Sequence, residues 1–185
     1  MIRKEILETV FKRDRYYRSQ IIYLATTVDE LISECIAWHF CQDEKKHLAF
    51  MSLLFNRGEV SFSKKIDIFK FILKNEYSDL YEETKGLTNK ITALREIRNK
   101  FAHSTLAMDL NNLLKADTGI YIRVLDRRGN KEDVFFSEDD LKANTDEYAG
   151  LMMKLMELKF EFERRAKGCK HGKLTEVWKN LLEEE

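Results

Sequence analysis

Ile21-Ile22-Tyr23-Leu24-Ala25-Thr26-Thr27-Val28-Asp29-Glu30-Leu31-Ile32-Ser33-Glu34-Cys35-Ile36 decides the fold class. Ile21, Leu24, Val28, Leu31, Ile32, Cys35 and Ile36 recur at steps of three and four, the spacing that lines one face of an α-helix. The pattern extends to one long helical stretch from about Lys4 to Cys41, either continuous or broken once. Its first half is strongly basic, with Arg3, Lys4, Lys12, Arg13, Arg15 and Arg18. Uninterrupted helices need a chain free of internal proline, and none of the 185 residues is proline.

The composition fits that reading. Hydrophobic residues are 44% and charged residues 35%, the mixture of a helical bundle with charged outer faces. The length suits one filled core, so a single helical domain over residues 1–185 is expected. Thirty-two basic residues balance 32 acidic ones, so any nucleic-acid site must be a local patch. No segment has the apolar length of a membrane span, and Met1-Ile2-Arg3-Lys4-Glu5 leads into a charged helix instead of a signal peptide. Three cysteines without secretory context read as reduced thiols, and the expected location is cytoplasmic.

Further helices follow from the same period. A short one from His47 to Phe55 closes at Asn56-Arg57-Gly58, where glycine suits a helix terminus. Ser61 or Ser63 can cap the next, which turns Ile66, Phe69, Ile72 and Leu73 inward. Asn75 to Gly86 reads equally as a frayed turn or a loop. Thr88 to Leu106 is helical, with Leu87, Ile91, Leu94, Ile97 and Phe101 as its apolar residues. After Leu114 the period changes to two, and residues 119–136 read as a β-hairpin around Arg127-Arg128-Gly129-Asn130. Ser137-Glu138-Asp139-Asp140 then opens a helix running to Ala166, with acids in its first turn. Leu174, Val177, Trp178, Leu181 and Leu182 form a C-terminal amphipathic helix at about 174–184. The fold class is therefore mostly α, a helical bundle with a small β-hairpin insertion.

Ile97-Arg98-Asn99-Lys100-Phe101-Ala102-His103 is the stretch with chemistry in it. Arg98 supplies a fixed positive fork, Asn99 a neutral hydrogen-bonding group, and His103 a group that exchanges a proton near neutral pH. That set suits attack on a phosphodiester, where charge builds on phosphate oxygens while a hydroxyl loses its proton. On an ideal helix Arg98 and His103 stand roughly 140° apart, whereas Asn99 and His103 share a face. The pair is thus not self-contained: either the helix ends near His103 or a second copy completes the site. Arg98 borders the apolar stripe and needs an acid, a carbonyl or a ligand, with Asp29 and Glu30 as candidate acids. The alternative is structural, with Asn99 and His103 closing a helix end and Arg98 paired internally.

These residues resemble the signature of the HEPN superfamily, whose ribonuclease members carry Arg-x4–6-His, often with Asn directly after the Arg. The resemblance extends over about residues 20–165. It implies a homodimer in which two motif helices meet at a two-fold cleft, with RNA as substrate and no metal or other cofactor. It also implies attack by the 2′-hydroxyl on the adjacent phosphorus, which restricts the reaction to RNA. His103 would handle the proton, Arg98 would hold the phosphate and its transition-state charge, and Asn99 would orient His103 or a phosphate oxygen. A toxin or defence role with an antitoxin partner is implied by the same resemblance. The block Arg98-Asn-Lys-Phe-Ala-His-Ser104 is also similar to that of the mannitol operon repressor group, which implies instead a non-catalytic module that binds a regulatory protein partner.

Three basic clusters are candidate RNA contacts: Arg3 to Arg18, Arg164 to Lys173, and Arg123, Arg127, Arg128 and Lys131 on the hairpin, which ranks first. Tyr16-Tyr17 between Arg15 and Arg18 has the make-up of a base-stacking platform. Cys35, His39, Cys41, His47, Cys169 and His171 lack the pairing of a zinc site, so no metal is expected. No Gly-rich phosphate loop and no Gly-x-Ser-x-Gly elbow occurs.

Overall fold

A computed structural model describes residues 4–55, 58–114, 118–125 and 129–168. Among these, the protein forms seven α-helices, one π-helical turn and a three-stranded antiparallel sheet. The helices are α1 (Lys4–Phe40), α2 (Glu44–Phe50), α3 (Phe62–Glu76), α4 (Ser78–Glu83), α5 (Leu87–His103), α6 (Leu110–Leu114) and α7 (Glu138–Ala166). The strands are β1 (Thr105–Leu106), β2 (Gly119–Leu125) and β3 (Lys131–Ser137), in that order across the sheet. The fold is mostly helical with a small β insertion, as the periodicity implies.

Helix starts follow local chemistry. Asp43 caps α2 by accepting from the Lys46 N–H at 2.9 Å, and Ser61 caps α3 by accepting from the Lys64 N–H at 3.3 Å. Of the two serines open at that point, Ser61 is the cap. Ser137 accepts from the Asp140 N–H at 3.0 Å and begins α7, whose first turn holds Glu138, Asp139 and Asp140. Helix α2 runs into the π-helical turn Met51–Phe55. Gly58, at φ +69°, closes that turn by donating to the Phe55 carbonyl at 3.1 Å, a conformation that suits a residue without Cβ. The expected helix at 174–184 lies outside the described residues.

Two compact units divide the chain. Of the described residues, those within Met1–Thr27 and Thr92–Gly150 form one, and those within Val28–Ile91 and Leu151–Glu185 the other. In the first, Val10, Tyr17 and Ile21 of α1 meet Phe101 of α5, Ile120 and Ile122 of β2, and Leu141 of α7. Phe101 and Phe136 pack ring to ring at 5.1 Å, so the sheet lies against the helices instead of standing as an isolated hairpin. In the second, the buried side chains of Lys65, His47 and Glu161 each meet a polar partner. Lys65 reaches Asp29 at 2.9 Å and lies over the Phe55 ring, while His47 reaches Glu34 at 3.0 Å and stacks on Trp38. Glu161 is held by Arg164 and Arg165, and burial is offset by those two guanidiniums, which keep its carboxyl below the ordinary range. Asp29 is thus committed to Lys65.

Gly119 opens β2 opposite Ser137, and there the sheet leaves no room for a side chain. A Cβ at this position would run into the Phe136 carbonyl oxygen and lie 2.7 Å from the Phe135 ring. The ring can swing away; the carbonyl belongs to the ladder and cannot. Gly119→Ala is therefore expected to destabilise the protein by about 1–3 kcal/mol, the usual range for overpacking. Thermal unfolding of the two proteins measures it, and an unchanged midpoint would mean that the strand start shifts freely.

Candidate active site

Helix α5 carries the motif to its carboxyl end. Leu87, Ile91, Leu94 and Phe101 are buried along it, while Asn99, Lys100 and His103 are exposed and Arg98 is half-buried. Arg98 Nη1 donates to Asn99 Oδ1 at 3.0 Å, and among the described residues it has no ion-pair partner. The His103 side chain makes no hydrogen bond within the described residues. A guanidinium without a carboxylate and an imidazole without a partner thus stand on the last turn and a half of one helix. Of the two candidate acids, Asp29 is engaged by Lys65.

The helix ends at His103, three residues before the period alone would end it. Thr105 and Leu106 are extended and pair with Arg123 and Ile122 of β2. Strand pairing therefore fixes the backbone from two residues after His103. The last turn of any helix leaves carbonyls without intrahelical partners. Here Arg18 of α1 supplies donors: its Nη1 reaches the Phe101 carbonyl, and the Ser104 carbonyl and hydroxyl at 3.3 Å each. Asp14 holds the other edge of the guanidinium at 2.8 and 3.3 Å, and the group lies 5.6 Å above the centre of the Phe101 ring. This clamp uses residues that sequence reasoning places among RNA contacts. The available signal is the acid–base pair Asp14/Arg18 at i,i+4, the stronger orientation for such pairs.

The structure corrects two further readings. Tyr17 is buried in the core and Arg18 is committed to the clamp, so the Tyr16-Tyr17 platform does not exist as a unit. Arg123 is not a free cation on the hairpin. Its Nε and Nη2 donate to the two oxygens of Asp133 at 2.7 and 2.8 Å, and Nη2 also reaches Asp109. Two carboxylates already answer its charge, so it braces the strands and has little left for an RNA phosphate. Arg127 and Arg128 lie outside the described residues. Lys131, the first residue of β3, is exposed.

Other titratable groups follow from burial. Cys35 is fully buried and its thiol is pushed far up; Cys41 is raised for the same reason. His39, near Tyr77 at 3.3 Å, is lowered by burial. Among the described residues no group of three His, Cys, Asp or Glu side chains is placed to hold a metal ion, and no helix is long and apolar enough to cross a membrane. Comparisons with models of protein families, with curated proteins and with solved structures find no match to this chain.

Two outcomes follow. Arg18→Ala removes the donors at the end of α5 and leaves Asp14 uncompensated, at an expected cost of about 2 kcal/mol. For a chain of this size that lowers the unfolding midpoint by about 4–8 °C, and a change under one degree would rule out the clamp. The second concerns pH. The Arg123 hydrogen bonds, helped by Asn112, hold the Asp133 carboxyl below the ordinary range. A lowered folded-state value gives stability that is present above about pH 4 and lost as pH falls through the folded-state value. The gap in unfolding midpoint between wild type and Arg123→Gln should therefore close as pH drops from 6 to 2.5. A constant gap would show that the pair does not titrate.

Proposed function

We propose that this protein is a metal-independent endoribonuclease of the HEPN type, acting through Arg98, Asn99 and His103. The observation that carries the reading is that among the described residues Arg98 has no carboxylate partner and the His103 imidazole no hydrogen bond, at the exposed end of α5. Groups kept for structure alone are ordinarily paired, as Arg13, Arg18 and Arg123 are here.

The chemistry is a transesterification within the RNA strand. The 2′-oxygen bonds to the adjacent phosphorus as its proton passes to an imidazole. The bond from phosphorus to the 5′-oxygen breaks, and that oxygen takes the proton back from the imidazolium. The products are a 2′,3′-cyclic phosphate and a 5′-hydroxyl end. Arg98 balances the charge that builds on the non-bridging oxygens, and Asn99 keeps the Arg98 fork oriented through their hydrogen bond. Because Arg98 and His103 stand roughly 140° apart on one helix, convergence on one phosphate calls for two copies of α5. A homodimer meets that need.

A non-catalytic regulatory module, like the mannitol operon repressor group, is the second reading. The Arg98–Asn99 hydrogen bond favours it, because it engages two of the three motif residues with each other.

Incubating a mixed RNA pool with the protein in EDTA separates the two. Wild type should yield cyclic-phosphate ends, and His103→Ala and Arg98→Ala should each be slower by about 100-fold or more. Cleavage that survives in His103→Ala would overturn the site. A folded wild-type dimer that cleaves nothing would leave the regulatory module.

A further inference from the structure

We propose that the solvent face of α1 from Phe11 to Tyr23 is a binding surface for single-stranded RNA. Bases would stack on Tyr16 and Tyr23, and phosphates would be held by Lys12 and Arg15. The nature of the strand rests on the ribonuclease reading; the face itself rests on separate residues.

At 100° per residue, Lys12, Arg15, Tyr16, Ser19 and Tyr23 fall within roughly 100° of one another around the helix, with Phe11 at the margin. All are exposed, and the rings unusually so: Phe11 48%, Tyr16 59% and Tyr23 61%. Two large rings in water on one helical surface, Tyr16 and Tyr23, demand a use beside two unpaired cations, since isolated apolar exposure is ordinary and a cluster is not. Lys12 and Arg15 have no ion-pair partner among the described residues. The nearby acids are engaged elsewhere: Glu8 pairs with Lys4 at 3.7 Å, and Asp14 points to the other side of the helix and holds Arg18. From Lys12 to Thr26 the face carries no acid, over a length of about 21 Å.

Unpaired cations interleaved with exposed rings are the make-up of a single-strand platform, in which rings take any base and cations follow the backbone. A second copy is the less apt occupant. Two-fold packing of this face on itself would bring Lys12 and Arg15 towards their own equivalents without a free acid between them. The face also adjoins the candidate site. Arg18, three residues after Arg15 and so its neighbour on the helix surface, grips the end of α5 at Phe101 and Ser104. A strand lying along Lys12, Arg15 and Tyr16 thus passes beside the turn that carries His103.

Fluorescence anisotropy with a 2′-O-methyl oligoribonucleotide in EDTA tests this without any need for cleavage, because that strand has no 2′-hydroxyl to react. The wild type should bind it. Tyr16→Ala/Tyr23→Ala should weaken binding about tenfold or more at constant fold. Lys12→Gln/Arg15→Gln should lower the slope of log affinity against log salt by about 1.4, two contacts' worth for a single strand. His103→Ala should bind as wild type does. Undiminished binding by both double variants would overturn the proposal. So would a Tyr16→Ala/Tyr23→Ala protein that becomes monomeric while keeping its affinity, which would make the face a contact between copies. Binding that depends on these residues in a protein that cleaves nothing would sink the ribonuclease reading alone. Cleavage lost in His103→Ala alongside unchanged binding in the double variants would sink this one alone.

Discussion

The guanidinium of Arg18 is the constraint on which the candidate site depends. It donates to the Phe101 carbonyl and to Ser104, is gripped by Asp14, and covers the Phe101 ring. A helix end is ordinarily closed by a glycine in a left-handed turn, and α5 has none after it. A side chain from another helix does the work instead. The result is an abrupt change of backbone, helical at His103 and extended at Thr105, with no positive φ required of any residue there.

Around that point the polar side chains of the first unit divide into two groups. Arg13 reaches the Gly119 carbonyl and Glu138, Arg18 the end of α5, and Arg123 the carboxylates of Asp133 and Asp109. These three fasten α1, the sheet and the start of α7. Lys12, Arg15 and Arg98 have no such carboxylate partner among the described residues. A desolvated guanidinium is costly unless it is answered, so the committed residues are legible as structure and the uncommitted ones remain available for ligands. Net charge is zero because 32 acids offset 32 basic residues over the whole chain, and that balance hides the difference.

Much of the architecture was readable from period and punctuation. α1 runs Lys4–Phe40 against an expected Lys4 to Cys41, α7 covers Glu138–Ala166, and β2 and β3 fall where alternation places them. Those signals are local, so a window of sequence contains them. The end of α5 is different. Thr105 and Leu106 continue an apolar period tolerably well, and only pairing with Arg123 and Ile122 pulls them into a strand. Nothing within a helical turn of Thr105 announces that partner. The same holds for basic residues: Arg15 and Arg18 look alike in sequence, yet one faces water and the other closes a helix. The motif itself was legible as a set of residue types, and its lack of partners was not.

Closing α5 with a side chain has an evolutionary consequence. A glycine cap occupies one position; this one rests on the pair Asp14 and Arg18, because its acceptors at Phe101 and Ser104 include main-chain carbonyls that any residue supplies. Lineages that keep this helix end are expected to hold or exchange positions 14 and 18 together, although the carbonyl they serve lies 86 residues away at Ser104. Correlated substitution at 14 and 18, without a matching constraint at 104, is thus the trace this way of closing a helix should leave.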